Sequence, residues 1–210
     1  MKCPLCENRK AKRFCPAKAV EICPVCCGTK REVEIDCPSN CVYLHEGREY
    51  ESKRMVRKGP WVARTERLWQ DAFISQHYEV FLSLWAIMLD ERKRFPELID
   101  SDVQITLDAL IQTYETLDNG IYYDSSPTST IQKSLYFSLK SFLETPDREF
   151  DVSHHRLNTS TILDCLRFQK ELAAAIVLPR PKSRAFLDHL EEMYSHSAPS
   201  LQEQPKIILP

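Results

Sequence analysis

Glycine is scarce in this sequence, with only four glycines among 210 residues. Loops that cradle phosphate groups need several glycines close together, and the sequence has neither a Walker loop nor a Gly-x-Gly-x-x-Gly pattern. The Gly-x-Ser-x-Gly turn of serine hydrolases and the paired Glu-x-x-His of di-iron bundles are missing too. We therefore expect a protein that is not an enzyme.

Long apolar runs are missing as well. The longest, residues 80–89, has ten residues and includes Ser83, whereas a helix needs about 20 apolar residues to span a bilayer. The first residues contain no apolar segment of the kind that a signal peptide carries. We expect a cytoplasmic protein without a membrane partner.

No single sign of charge dominates. The formal net charge is −2 and the isoelectric point is about 6.3, which argues against a uniformly basic nucleic-acid-binding protein. The charge is nevertheless uneven along the chain. Residues 1–64 contain fourteen Lys and Arg against eight Asp and Glu, whereas residues 65–210 contain fourteen against twenty-two. This asymmetry indicates two modules with different roles.

Cysteine is abundant at one end of the chain. Eight of the nine cysteines lie within the first 41 residues, at Cys3, Cys6, Cys15, Cys23, Cys26, Cys27, Cys37 and Cys41. Two Cys-x2-Cys turns among them share the form Cys-Pro-aliphatic-Cys, and this spacing puts two sulfur atoms within reach of one zinc at about 2.3 Å. Eight thiolates complete two closed structural sites, so we predict two bound Zn²⁺ ions with all eight cysteines as ligands.

Three local features predict how the cysteines are presented. Gly28 follows the second Cys-x2-Cys turn and is expected to supply the positive φ that ends it. Residues 32–35 alternate polar and apolar side chains like a short strand. Cys37 is expected to cap a helix that has Pro38 at its first position, so that Cys41 lies one turn away on the same face. Turns, strands and a helix that carries ligands in its first turn form a treble clef.

The cysteine-rich segment, up to about His45, resembles the cross-brace double-zinc fingers of the RING, MYND and HIT families, in which alternate ligand pairs share a metal. The resemblance implies one zinc held by Cys3, Cys6, Cys23 and one of Cys26 and Cys27. It implies a second zinc held by Cys15, the other cysteine of that adjacent pair, Cys37 and Cys41. His45 is a candidate substitute ligand. The whole chain also resembles bacterial zinc-finger proteins with a helical domain, a likeness that implies no activity.

Other chemistries compete for these cysteines. Disulfides would be expected in a secreted chain, but nothing marks this chain for export. A redox Cys-x-x-Cys motif usually lies in a βαβ unit, and iron–sulfur clusters favour a tighter run of cysteines. Zinc is therefore the predicted metal, and roughly 40 residues with few large apolar side chains would need it in order to fold. Cys165 lies on an apolar helix face and is predicted to be a core residue.

The remainder of the sequence has helical periodicity. Helices are predicted over residues 42–58, 65–95 with a break at 75–77, 101–118, 126–144, 159–178 and 183–194, with a polar loop at 145–158. The predicted fold class is mainly α, a small N-terminal zinc-stabilised treble-clef module followed by a helical bundle. The expected domains are a double zinc-binding module with its trailing helix at 1–58, an all-α bundle at 61–195 and a disordered tail at 196–210.

Few other residues suggest chemistry. His154 and His155 are neighbours in a polar loop, and adjacent residues rarely face one metal, so we expect them to be solvated. Aromatic residues flank Gly120 and are expected to pack at a helix corner rather than to line a pocket, namely Tyr114, Tyr122 and Tyr123. A small basic patch could contact a phosphate group, but a solvated loop is the simpler interpretation for Arg180, Lys182 and Arg184.

Two functions fit these features. The first is a non-enzymatic zinc-binding interaction or regulatory protein, in which the double-zinc finger recognises a protein partner and the bundle acts as a scaffold. The second is a nucleic-acid-binding regulator that uses the basic N-terminal residues Arg9, Lys10, Lys12, Arg13, Lys30, Arg31, Arg54, Arg57 and Lys58. Zinc-bound thiolates would offset part of this positive charge, since each four-thiolate site carries about −2.

Overall fold

The computed structural model describes residues 1–56, 71–145, 157–176 and 180–197. These residues form one two-stranded sheet and eight helices, so the prediction of a mainly α protein is confirmed. The elements are β1 (Arg13–Cys15), β2 (Val20–Ile22), α1 (Pro24–Lys30), α2 (Val42–Val56), α3 (Asp71–Gln76), α4 (Tyr78–Arg94), α5 (Asp100–Asp118), α6 (Thr130–Glu144), α7 (Thr159–Ile176) and α8 (Ala185–Ser197). None of the described helices is both long and apolar enough to cross a lipid bilayer.

The N-terminal segment, residues 1–56, is organised around a small antiparallel hairpin. Arg13 of β1 pairs with Ile22 of β2, and Lys12 extends the pairing by donating its backbone N–H to the carbonyl of Ile22 over 3.0 Å. The chain before β1 turns back on itself, because the backbone N–H of Cys3 donates to the carbonyl of Arg9 (2.8 Å). Apart from cysteines, the buried cluster of this segment contains only the apolar side chains of Ala11, Ile22 and Ile35. Such a core buries too little surface to hold the segment by itself.

The cysteines are presented differently from the prediction. Gly28 lies inside α1, and the left-handed residues of this segment are instead Glu7, Ala19 and Glu32. Residues 32–34 form a turn rather than a strand, because the carbonyl of Lys30 accepts the backbone N–H groups of residues 33–35. Helix α2 begins at Val42, so Cys37 does not cap it and Cys41 precedes its first turn.

Helices α4–α8 form a bundle, as predicted. α5 packs against α6 and α7, and α4 packs against α6 and α8. Each helix contributes buried apolar side chains at three- and four-residue spacing, such as Leu84 and Met88 from α4 and Leu107, Leu110 and Tyr114 from α5. Cys165 of α7 is fully buried in this core, which confirms its predicted place.

The boundaries of α4 and α5 follow partly from local sequence. The predicted break near residues 75–77 is confirmed, since His77 separates α3 from α4. α5 begins at Asp100, one residue before the predicted start, because the carboxylate of Asp102 accepts the backbone N–H of Ile99 (3.2 Å). Its end before Asn119-Gly120 is as predicted, and Gly120 has a φ of 77°.

The segment between α5 and α6 stays extended for longer than predicted. α6 begins at Thr130, four residues after the predicted start. Asp124 accepts a hydrogen bond from Nζ of Lys140 (2.6 Å), and the backbone N–H of Ser125 donates to the hydroxyl of Thr113 (3.0 Å). These contacts hold the chain against α5 and α6 and delay the start of the helix.

The last helix is longer than predicted. α8 runs to Ser197, three residues beyond the predicted end at Tyr194. Four predictions concern residues that lie outside the described ones, namely 57–70, 146–156, 177–179 and 198–210. They are the end of the first helix at residue 58, the histidine pair in the polar loop, the end of α7 and most of the tail. The domain boundaries therefore stay predictions.

A chain of ion pairs joins the N-terminal segment to the bundle, and Glu32 is its centre. The side chain of Glu32 is 1% exposed and accepts from Arg48 of α2 (2.5 Å) and from Arg180, which precedes α8 (3.0 Å). Arg180 also pairs with Glu51 of α2 (2.5 Å), and Arg48 also pairs with Asp188 of α8. Buried charges need partners of opposite sign. This series, called the Glu32 charge chain below, therefore fixes the segment against α8.

Helix α4 continues the Glu32 charge chain. Arg92 binds Asp188 and the hydroxyl of Ser39, the latter over 2.9 Å. Burial would raise the pKa of Asp188, but the guanidinium groups of Arg48 and Arg92 lower it overall. The carboxylate of Asp188 is therefore held in its charged form between two parts of the molecule.

The basic loop before α8, residues 180–184, is an interface and not a solvated loop, so that prediction is wrong. Arg184 is 7% exposed and binds Asp36 of the N-terminal segment (2.5 Å). The backbone N–H of Lys182 donates to the carbonyl of Glu32 (2.9 Å). The positive charges of this loop neutralise acidic residues of the N-terminal segment, which leaves them unsuited to a phosphate group.

Replacing Glu32 by glutamine (Glu32→Gln) is expected to destabilise the protein by about 3 kcal/mol, because Arg48 and Arg180 would each lose one of their two carboxylate partners at a buried position. The midpoint of urea unfolding measures the change. Glu49→Gln is the matched control, since Glu49 forms an exposed ion pair with Lys53 on α2 and its loss should leave the midpoint unchanged. Equal midpoints for the two variants would contradict the role given to the Glu32 charge chain.

Candidate metal centre

Four cysteines of the N-terminal segment converge on one point, and their sulfur atoms all lie within 4.8 Å of one another. They form what is called the four-thiol site below: Cys3, Cys6, Cys23 and Cys26. The sulfur atoms of Cys6 and Cys23 are 3.9 Å apart. A tetrahedral zinc with Zn–S bonds of about 2.3 Å separates its ligands by about 3.8 Å, so the four-thiol site has the dimensions that zinc needs.

The structure decides between the two adjacent cysteines of α1. Cys26 is buried and belongs to the four-thiol site, whereas the sulfur of Cys27 accepts from Nη1 of Arg13 over 3.7 Å. Successive residues of a helix point about 100° apart, so only one of the pair can face a given metal. The first ligand set implied by the cross-brace resemblance is therefore completed by Cys26.

A tight turn at the N-terminus presents the first pair of ligands. The backbone N–H of Glu7 donates to the carbonyl of Cys3 (2.7 Å), and Glu7 has a φ of 52°, so the chain reverses directly after Cys6. The backbone N–H groups of Arg9 and Asn8 donate to the sulfur of Cys6 and lower its pKa to about 6. The turn therefore favours the thiolate, which is the form that binds a metal.

The end of β2 and the start of α1 present the second pair. Cys23 is the N-cap of α1, and its sulfur accepts the backbone N–H of Cys26 over 3.3 Å. Pro24 occupies the first helical position, where its missing N–H leaves no hydrogen bond unmade. The hairpin between the pairs returns the chain, so that the second pair lies against the first.

Burial and neighbouring groups shift the pKa values of Cys3 and Cys26 in opposite directions. Burial opposes ionisation of Cys3, but backbone N–H groups, chiefly those of Cys23 and Leu5, lower its pKa overall. Burial raises the pKa of Cys26 to about 12, and its interaction with the neighbouring sulfurs, that of Cys23 first, adds to the effect. Cys26 can therefore ionise near neutral pH only if a cation neutralises the negative charge at the site.

The four-thiol site can hold a metal but offers it no place for a substrate. Cys3 and Cys23 are fully buried, and Cys26 is 4% exposed. Four sulfur ligands complete a tetrahedral shell, whereas a catalytic zinc keeps one position open for water or substrate. The chemistry that this arrangement supports is structural zinc binding, with the thiolates and the metal stabilising the fold together.

The other four N-terminal cysteines are less closely grouped. They are called the second cysteine set below: Cys15, Cys27, Cys37 and Cys41. Within the described residues, no three of their sulfur atoms lie as close to one another as those of the four-thiol site. Burial raises the pKa of Cys37, and the negative charges of Cys41 and Cys15 raise it further, so these three sulfurs are electrostatic neighbours. His45 is exposed on α2 and does not join the four-thiol site.

A cavity of about 660 Å³ lies where α4 and α8 meet the N-terminal segment. Its charged lining residues are engaged with one another, as in the ion pairs of Arg184 with Asp36 and of Lys93 with Asp90. Charged groups that already serve the interface are poorly suited to acid–base chemistry on a bound molecule. The cavity therefore adds no support for a catalytic site.

The tyrosines near Gly120 do not form one cluster. Tyr114 is buried in α5, whereas Tyr122 and Tyr123 are 73% and 61% exposed. Packing at a helix corner, which the sequence predicted, is therefore wrong for the last two. The reason is that the carboxylate of Asp124 is hydrogen-bonded to Tyr136 and Lys140 of α6, whereas Tyr122 and Tyr123, which precede it, stay exposed.

Sequence reasoning missed two buried acidic residues that are not part of the four-thiol site but stabilise the elements packed around the N-terminal segment. Glu32 and Asp100 are each 1% exposed. Asp100 accepts the backbone N–H groups of Phe186 (3.1 Å) and Leu187 (3.2 Å), and so caps α8 beside the Glu32 charge chain. No local pattern marks either residue, because their partners lie as far as 148 residues away in the sequence.

Zinc binding is expected to release protons near neutral pH, and zinc affinity is expected to rise with pH. Cys26 keeps its proton in the metal-free protein because its pKa is about 12, and the metal requires the thiolate. Calorimetric titration with zinc in buffers of different ionisation enthalpy counts the protons. Cys165→Ser should release the same number, since Cys165 is remote from the site in the bundle core. Zinc binding without proton release would contradict this assignment.

No family model matches this chain, and no similar protein was found among the curated proteins or the solved structures. The assignment of a zinc-binding cysteine cluster therefore depends on the geometry of the four-thiol site itself.

Proposed function

We propose that this protein is a non-enzymatic zinc-binding interaction or regulatory protein. Its N-terminal segment is a recognition surface held in shape by structural zinc, and its bundle is the scaffold. The observation that carries the proposal is the four-thiol site, where the protein supplies all four ligands of a tetrahedral ion. A metal enclosed in this way stabilises a shape and leaves no coordination position for a substrate.

The Glu32 charge chain supports the scaffold role. Arg48 and Arg180 bind the same buried carboxylate, so the N-terminal segment keeps one orientation against α8. A recognition surface that is ordered before its partner arrives loses less entropy on binding. The rigid attachment is therefore a property that a recognition module would use.

We also propose a second zinc, bound by the second cysteine set in a cross-brace, treble-clef arrangement. Cys37 lies within electrostatic reach of Cys15 and Cys41, and Cys27 packs with Cys37 against the same small core. All eight N-terminal cysteines then serve as zinc ligands. The nine cysteines are free thiols, which suits the reducing cytoplasm that we propose as the location of this protein.

The purified protein is expected to contain two zinc ions per chain by elemental analysis. Cys26→Ser is expected to lose the ion of the four-thiol site and Cys27→Ser that of the second cysteine set, because each removes one of four ligands. Cys165→Ser is the control and should keep both ions. One ion per chain, unaffected by Cys27→Ser, would eliminate the second zinc, and a folded protein without metal would refute the proposed function.

A protein partner is expected to bind through the N-terminal segment. Capture from the native cell with the intact protein should retain this partner, and Cys26→Ser should lose it because the recognition surface unfolds without its metal. Cys165→Ser removes a thiol from the bundle and should keep the partner. A partner held equally well by all three proteins would mean that the bundle, not the N-terminal segment, is the recognition surface.

A further inference from the structure

The outer side of the β1–β2 hairpin carries a row of lysines and one exposed aromatic ring. Between residues 10 and 15, exposed side chains alternate with buried or half-buried ones. Side chains two residues apart on an extended strand share a face, so the exposed ones lie in one row. Lys2 joins this row because its backbone pairs with that of Lys10. The hairpin face is defined by these exposed residues: Lys2, Lys10, Lys12 and Phe14.

Within the part of the chain that the structure describes, acidic side chains do not neutralise the positive charge of the hairpin face. Among the described residues, no ion pair includes its three lysines or the exposed Arg9 and Lys18 beside them. Residues 1–21 contain six Lys and Arg against two Glu, so a positive surplus remains even beside a four-thiolate zinc of about −2. This surface suits a polyanion.

The other basic residues that the sequence suggested for nucleic-acid binding either contact groups of this protein or have side chains that the structure does not describe. The guanidinium of Arg13 lies over the ring of Tyr43, 4.6 Å from its centre. Lys30 is in an ion pair, and Arg31 is buried against α2. The remaining three, of whose side chains the structure says nothing, are Arg54, Arg57 and Lys58. Among the described side chains of this group, Lys10 and Lys12 of the hairpin face therefore remain outside ion pairs and ring contacts, together with Arg9.

Phe14 distinguishes between kinds of polyanion. Its ring is 57% exposed on the same face as Lys12, and Glu21 of β2 lies opposite it. An aromatic ring displayed on a strand stacks with unpaired bases, which a duplex keeps inside its own stack. An acidic peptide would use the lysines but would gain little from the ring. Lysines beside an exposed ring therefore match a single strand, with phosphates on the lysines and a base on Phe14.

We infer that the hairpin face binds single-stranded nucleic acid, through phosphate contacts to Lys2, Lys10 and Lys12 and base stacking on Phe14. The site goes beyond a protein partner, and it depends on the proposed function because the metal-held fold keeps the hairpin in shape. Glu21 is the one acidic side chain opposite the ring and opposes binding by repelling phosphate.

Fluorescence anisotropy tests this site with the full-length, zinc-loaded chain. The probes are labelled oligouridylate and oligothymidylate of about 15 nucleotides, measured between about 50 and 200 mM salt. Wild-type protein should bind both, with affinity that falls steeply as salt rises. The double variant Lys10→Gln/Lys12→Gln should lower the slope of log affinity against log salt by about 0.7 for each lost phosphate contact.

Charge and stacking are separated by further variants. Lys93→Gln/Lys170→Gln removes the same charge from exposed lysines of α4 and α7 and should leave affinity and slope unchanged. Phe14→Ala should weaken binding at least about fivefold with an unchanged slope, whereas Phe14→Trp should keep the affinity. Glu21→Gln should strengthen binding. Zinc content and circular dichroism confirm that each variant is folded.

Several results would overturn the inference. The first is that zinc-loaded wild-type protein does not bind the oligonucleotides at about 50 mM salt. The second is that Lys93→Gln/Lys170→Gln loses as much affinity as Lys10→Gln/Lys12→Gln. The third is that a duplex binds as tightly as the single strands and that Phe14→Ala does not change the affinity. Competition by poly-glutamate as strong as that by the oligonucleotides would show a general polyanion surface and would also overturn it. A zinc-loaded chain that fails to bind refutes only this site, whereas a folded chain that holds no zinc refutes the proposed function.

Discussion

The convergence of four cysteine sulfurs is the constraint on which the N-terminal segment depends. The four buried apolar side chains of the segment, Ala11, Ile22, Ile35 and Leu44, cannot offset the conformational entropy of ordering two tight turns and a hairpin of three-residue strands. The sulfurs lie where one ion can tie these pieces together. Backbone N–H groups that donate to Cys6 favour its thiolate and are themselves positioned by the N-terminal turn. Metal affinity and backbone geometry therefore reinforce each other.

Ion pairs connect the segment that carries the candidate metal centre to the bundle. The turn that follows α1 gives Glu32 a φ of 56° and leaves its carboxylate between Arg48 and Arg180. A buried carboxylate shared by two guanidinium groups is favourable only when all three groups are in place, so small displacements are costly. This couples the fold around the cysteines to α8. Among the described residues, the lysines of the hairpin face take no part in these ion pairs, so the positive charge that attaches the segment and the positive charge of the hairpin face belong to different residues.

Several predictions succeeded where the deciding contacts are local, although the local predictions for Gly28, residues 32–35 and Cys37 were wrong, and others failed because the deciding contacts are distant. The Cys-x2-Cys pairs, the break at His77 and the end of α5 before Asn119-Gly120 follow from residues within one or two turns of one another. The start of α6 depends on Asp124 and its partner 16 residues away. The loop before α8 was expected to be solvated because its acidic partners lie 148 residues away. No periodicity or spacing carries information about such pairs.

By itself the sequence determined that the first 41 residues carry thiols at metal-binding spacing and that the remainder is helical, since ligand spacing and apolar periodicity are local properties of a chain. Only the tertiary structure decided that Cys26 rather than Cys27 completes the four-thiol site, that Glu32 anchors the segment to α8, and that the hairpin displays Phe14 beside lysines. These outcomes depend on which faces meet after the chain has folded, and burial and charge compensation between distant residues choose them.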